Sequence, residues 1–141
     1  TSIWLERGIF MPSPDEVMVL ALTPDQSVSR IARLRRADDK PMAIERASLS
    51  VEMLPNPLIV ETSLYEVLSK SGLRPVRALQ KISAINLGRA NADLLEADPG
   101  DAGLSIERTS YLDDGRVVEF TQSIYRGDAY NFVAELRLSQ E

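Results

Sequence analysis

The chain predicts an α+β domain, a mainly antiparallel sheet with helices packed on it, and three observations carry that prediction. Segments that alternate polar and apolar residues outnumber helical ones. They come in sequence-adjacent pairs joined by short Asp-rich turns, which is how antiparallel strands are connected. Two Ser-x-x-Glu sequences, at Ser13 and Ser63, mark helix starts.

Ser13-Pro14-Asp15-Glu16 opens the first helix, with Ser as N-cap, Pro in the first turn and Glu completing a capping box. It is expected to run to about Leu22 and stop at Thr23-Pro24. Residues 27–37 and 42–50 alternate around Asp38-Asp39-Lys40 and predict a β-hairpin. Residues 51–61, with Pro55 and Pro57, read as a crossing loop. The second capping box, Ser63-Leu64-Tyr65-Glu66, begins a helix that should end at Ser71-Gly72 with Gly72 just past the cap. A long strand over 75–87 follows. Next comes a short helix over 89–97 with Ala90, Leu94 and Leu95 facing inward. A second hairpin joins 103–112 to 116–125 through Asp113-Asp114-Gly115. Arg126-Gly127-Asp128 turns into a final strand over 130–138, central or at an edge. Trp4 and Phe120 are read as core.

The 141 residues suit a single domain that buries roughly two thirds of its unfolded surface. Sixteen basic against 21 acidic residues give a net charge of −5, a poor balance for binding nucleic acid unaided. No apolar run approaches the about 18 residues needed to span a bilayer, and the first residues lack the pattern of a secretory signal. The absence of Cys fits a cytoplasmic protein. A start without Met suggests a fragment or a processed chain. There is no Gly-rich phosphate loop and no metal-ligand cluster, so no cofactor or metal is expected. With no His and no Cys, a nucleophile activated by a His base is excluded.

What remains is a polar constellation suited to holding a ligand. Arg33 and Arg35, at i and i+2, share one side of a strand and could grip a phosphate or carboxylate; a solvated basic face is the competing reading. A three-residue loop at 38–40 would set Arg33 opposite Glu45 and Arg35 opposite Ala43, whereas a two-residue loop would move Glu45 to the other face. Arg33 with Glu45 could also be a simple cross-strand ion pair. Ser63 is an N-cap whose helix start also offers N–H groups to an anion. Tyr65 is either a half-buried aromatic or a phenol donor. Glu119, Thr121, Ser123 and Tyr125 line one face of their strand, read either as solvent face or as cavity wall. Tyr125 and Tyr130 flank a turn, where ordinary aromatic packing is the alternative.

The same residues, in order, resemble a known family. Arg33-Leu34-Arg35-Arg36-Ala37-Asp38, Pro41-Met42-Ala43-Ile44-Glu45, Ser63-Leu64-Tyr65, Ile106-Glu107-Arg108-Thr109-Ser110-Tyr111, Asp114-Gly115 with Val118-Glu119, and Tyr125-Arg126-Gly127-Asp128 together resemble the UTRA domain. That domain is the effector-binding half of HutC-type GntR transcription regulators, and the resemblance runs from about Ser13 to Leu138. It implies a chorismate-lyase-like fold, a homodimer, and a winged helix-turn-helix domain in the full protein that is absent from this chain and through which alone DNA is bound. Among regulators of N-acetylglucosamine use, which this chain resembles best, it implies Arg33, Arg35, Ser63 and Tyr65 for an effector phosphate. Glu45, Glu119 and Tyr125 would then contact the sugar, glucosamine-6-phosphate or N-acetylglucosamine-6-phosphate. Many relatives carry Phe-Ser/Thr-Glu-Asp where this chain has Ser2-Ile3-Trp4-Leu5, a segment that often walls the pocket. Two other readings compete with the sensor: an enzyme of the same fold using Glu45 and Glu119 as acid and base with Arg33 as electrophile, and a dimerisation module with a vestigial pocket.

Overall fold

The computed structural model describes residues 1–131, 133 and 135–138. Among the described residues six strands form one antiparallel sheet: β1 (Ser2–Phe10), β2 (Val28–Ala37), β3 (Lys40–Ser50), β4 (Arg77–Asn86), β5 (Ala102–Tyr111) and β6 (Val117–Arg126), in the spatial order β1-β2-β3-β6-β5-β4. The two hairpins read from the sequence meet at the centre, where β3 pairs with β6. Short α-helices cover the sheet: α1 (Pro14–Val19), α2 (Leu64–Lys70) and α3 (Arg89–Leu94). The α+β class is as expected from the alternation.

Each face has its own apolar layer, because alternate residues of every strand point to opposite sides. On one face Ile31, Ala47, Leu49 and Val118 pack with Met53, Leu54 and Val60 of the crossing segment and with Leu68 of α2. On the other, Leu34, Ile44 and Ile124 pack with Leu87, Ala92 and Leu95 around α3, and Val28 packs with Leu20 and Leu22 beyond α1. Phe120 joins this second layer, as its place in the apolar alternation predicts.

Several expectations are corrected. The strand β1 is not anticipated by the alternation: it pairs along β2 from Ser2 opposite Arg35 to Phe10 opposite Val28, with an irregularity between Trp4 and Glu6. Helix α1 stops short of Leu22, because Ala21 turns into the left-handed region (φ 54°) and the Leu22 N–H closes back on the Val17 carbonyl at 3.0 Å. The capping box at Ser13 is complete, but at Ser63 only half forms. Ser63 Oγ accepts from the Glu66 N–H, while the Glu66 carboxylate reaches forward to Lys70 at 3.6 Å. Ala92 in α3 and Leu95 at its C-terminal cap are buried, and Ala90 is exposed. Of the strand expected over 130–138, Tyr130, Asn131, Val133 and residues 135–138 are not in strand conformation, and Phe132 and Ala134 lie outside the described residues.

The β2–β3 hairpin settles the register by a route that neither loop length anticipates. Its turn has two residues, Asp38 and Asp39, both with positive φ (51° and 62°), as a tight primed turn requires. An irregularity between Arg35 and Arg36 then inserts one extra residue on β3, so Arg35 faces Ala43 and Arg33 faces Glu45. The bulge restores the register that a three-residue loop would have given.

Candidate functional site

The strands place residues in rows across the α2 side of the sheet. One row runs Trp4, Arg33, Glu45, Ser123, Ile106; the row beside it on one side runs Arg35, Ala43, Tyr125, Leu104. On the other side Arg108, Thr121 and Ala47 form the next row, followed by Ser110 and Glu119. The segment from Val60 into α2 lies over these rows and encloses a cavity of about 130 Å³. Arg33, Glu45, Ser63, Tyr65 and Glu119 line it, together with Trp4, Arg108 and Thr121.

Five of the seven sequence-predicted residues therefore meet in one cavity. Arg35 and Tyr125 sit one row further along the sheet and do not line it. Arg35 is joined to the site through Glu45, its Nη1 donating to Glu45 Oε1 at 3.0 Å. Tyr125 stacks on Tyr130 with ring centroids 4.5 Å apart. Burial, then the nearby Glu45 charge, pushes its phenol pKa upward.

Arg33 and Glu45 form the cross-strand pair anticipated from register. Arg33 Nη2 and Nε donate to Glu45 Oε2 at 3.3 and 3.4 Å, and Nη1 donates to the Thr62 carbonyl at 2.9 Å. That last bond ties the sheet to the residue preceding the α2 cap. One carboxylate thus holds two guanidinium groups.

Glu119 is the most deeply buried charge in the site, at 1% exposure. Tyr65 and Ser110 donate to its Oε1, Ser110 at 2.9 Å, and Thr121 donates to Oε2 at 2.6 Å. Arg108 Nε lies 3.5 Å from Oε1. Burial first, then the bond and charge of Glu119, push the Tyr65 phenol up to about 12, so it is a donor at any ordinary pH.

Sequence reasoning missed two members. Trp4, read only as core, packs on the apolar layer of this face and is also a cavity wall, with the Arg7 and Arg33 guanidinium groups 4.8 and 5.8 Å from its ring centroid. The family resemblance points to its segment, Ser2 to Leu5, as a pocket wall, but with β1 unrecognised the alternation does not single out Trp4. Arg108 stands opposite Thr121 only because an irregularity between Ser110 and Tyr111 leaves Val118 as an extra residue on β6; pairing outward from the Asp113-Asp114-Gly115 turn without it would have set Arg108 opposite Phe120, on the other face.

A polar cavity of paired arginines and carboxylates, set between a sheet and a short helix, defines a small-molecule-binding domain. Residues 1–131 match the UTRA domain, and the chain belongs to that family. It is 33% identical over 118 residues to the HTH-type transcriptional repressor NagR of Bacillus subtilis, covering 82% of this chain and 49% of the repressor. It is 27% identical to the mannosyl-D-glycerate transport/metabolism system repressor MngR of Escherichia coli, covering 80% of this chain and 48% of that protein. Among solved structures, a GntR-family transcriptional regulator from Enterococcus faecalis superposes with a TM-score of 0.89 at 31% identity, covering 96% of this chain and all of that one. These relatives are transcriptional regulators, and the chain spans about half the length of the curated ones.

Proposed function

We propose that this chain is the effector-sensing half of a GntR/HutC-type transcription regulator and that its cavity binds a phosphorylated amino sugar, glucosamine-6-phosphate or N-acetylglucosamine-6-phosphate. The observation that carries the proposal is the convergence of Arg33, Ser63 and Tyr65 with Glu45 and Glu119 around one cavity. Guanidinium and hydroxyl groups suit the phosphate; carboxylates suit sugar hydroxyls and an amine. Arg35, held to Glu45, and Tyr125, on the same sheet face, extend this set beyond the cavity. The amino sugar rests on the motif resemblance and on the similarity to NagR.

In the full protein, a cytoplasmic homodimer, an N-terminal winged helix-turn-helix domain makes the DNA contacts. The effector acts by binding one arrangement of the dimer more tightly than the other. The edge strand β4, exposed along most of its length, is the surface proposed for self-association. The reading as a sensor rather than an enzyme follows the relatives, which are regulators.

Thermal unfolding with glucosamine-6-phosphate against glucosamine at matched concentration is the test. Ligand at about a hundred times its dissociation constant adds roughly 2.7 kcal/mol, so only the phosphate ester should raise the midpoint clearly. Equal shifts for both compounds would remove the phosphate pocket.

A further inference from the structure

Beside the cavity lies a second concavity, about 370 Å³, lined by Arg74, Pro75, Arg77, Arg108, Ser110 and Tyr65 among others. Tyr65 and Arg108 belong to both. Among the described residues three arginines line this groove and no carboxylate does, in a chain whose net charge is −5. Among those residues, too, neither Arg74 nor Arg77 forms a salt bridge. The Arg77 guanidinium is held 4.2 Å from the Tyr111 ring centroid, which orients it without neutralising it. Pro75 restricts the backbone between Arg74 and Arg77.

Arg108 is the unusual member. Its Nε is buried and has no hydrogen-bond partner. The nearest carboxylate oxygen, on Glu119, is already claimed by Tyr65 and Ser110. Arg33, by contrast, donates to both Glu45 and the Thr62 carbonyl. The Arg108 side chain as a whole is 37% exposed and lines the groove, so an acceptor from outside the chain can reach it there.

We propose that this groove is a second anion site, taking a phosphate-type oxyanion of a small molecule at Arg74, Arg77 and Arg108. It lies on the other side of Tyr65 from the cavity and shares Tyr65 and Arg108 with it. The three arginines meet in one short concavity, which favours a compact anion over an extended acidic peptide that would need a longer basic surface. The anion could be a free species or the far end of a ligand that reaches past Tyr65.

Calorimetric titration of the chain with inorganic pyrophosphate tests the proposal. Removing one guanidinium donor from a bound anion weakens its binding by roughly tenfold. The double variant Arg74→Gln/Arg77→Gln, altered at two exposed positions, should therefore bind pyrophosphate at least tenfold more weakly, and Arg89→Gln, on α3 and lining neither concavity, should bind it like the parent. Glucosamine-6-phosphate affinity, measured separately in the double variant, reports on the first cavity, so failure there leaves the pyrophosphate result standing. Repeating the titration with the sugar phosphate present distinguishes the two sources: additive binding identifies a free anion, competition a shared ligand. The proposal is overturned if pyrophosphate does not saturate the parent chain, if sulfate and chloride compete as well as it does (an adventitious ion only), or if Arg33→Gln abolishes binding while the double variant keeps it. Binding of an acidic peptide but not of pyrophosphate would overturn it equally.

Discussion

Glu16 and Glu119 lie on opposite faces of one sheet and are buried alike, at 6% and 1% exposure, yet they are satisfied by different chemistry. Glu16 meets a full counter-charge. Arg30 grips it through two bonds of 2.8 and 2.5 Å, Ser48 donates at 2.6 Å, and the Ser13 N–H donates at 2.8 Å. Glu119 is held by three neutral hydroxyls, with its nearest cation 3.5 Å away. A carboxylate closed off by a bidentate arginine has nothing left to offer a ligand; it clamps α1 to β2 and β3. A carboxylate held by hydroxyls that can rotate, beside a cavity, can exchange partners. The difference separates a stabilising site from a binding site where burial alone would not.

The comparison can be broken first at Glu16. Glu16→Ala leaves Arg30 without its partner in a partly buried setting and should cost about 3 kcal/mol in urea unfolding, the range for orphaning a buried charge. A loss below about 1 kcal/mol would show that the clamp is ornamental. The same carboxylate predicts an acid limit. Burial alone would raise its pKa, but Arg30, Ser13 and Ser48 together hold it at about 2, below the ordinary 4.5. The unfolded chain therefore takes up the proton more readily than the folded one. The stabilisation is complete above about pH 4.5 and disappears as pH falls towards 2, a loss of about 3 kcal/mol. The Glu16→Ala variant should lack that part of the pH dependence.

On the opposite face the larger effect should be on binding. Arg33→Ala should weaken sugar-phosphate affinity by roughly 1.5–3 kcal/mol, the range for a hydrogen bond to a charged group. Its effect on stability should stay under about 1 kcal/mol, since the pair with Glu45 is partly exposed. Arg35→Ala, one row from the cavity, should weaken affinity less. Unchanged affinity in both variants by calorimetry would leave the two arginines as a surface ion-pair network and nothing more.

Glu119 can be probed from its hydroxyl partners. Tyr65→Phe removes one donor from a buried carboxylate that keeps Ser110, Thr121 and the Arg108 charge, and should cost about 1 kcal/mol. Glu119→Gln would turn an acceptor into a partial donor facing three donors, and is expected to shift the preference among amino sugars. If Tyr65→Phe destabilised the fold as much as Glu16→Ala, the distinction between the two glutamates would collapse.

Much of this was legible in the sequence because it depends on local rules. Alternation marks the hairpins, the capping sequence marks α2, and i, i+2 spacing puts Arg33 and Arg35 on one face. What was not legible depends on long-range closure. The strand β1 exposes Ile3, Leu5 and Ile9, so its apolar residues do not mark a buried side and no turn signal introduces it. Without β1, only the family resemblance ties the Trp4 segment to the pocket, and nothing in the alternation picks out Trp4 within it. Arg108 is an unremarkable strand residue until β5 pairs with β6. The seven-residue set could not be ranked by sequence either: Arg35 and Tyr125 share a face with the others, but the cavity ends one row before them.

The smallest expected effect concerns the hairpin that aligns Arg33 with Glu45. Asp38 and Asp39 both adopt left-handed backbone, which Asp tolerates at a cost and Gly does not incur. Asp39→Gly relieves that strain but gives the unfolded chain more freedom, so the net gain should be about 0.5 kcal/mol. Ligand affinity should not change, because the irregularity beside Arg35, rather than the turn, sets which side of β3 carries Glu45. Deleting Met42 is the complementary experiment. It removes the extra residue on β3 and would move either Glu45 or the whole β2–β3 register by one position, turning the carboxylate away from Arg33. A deletion variant that folds and binds sugar phosphate like the parent would show that the bulge does not set the alignment of Arg33 with Glu45.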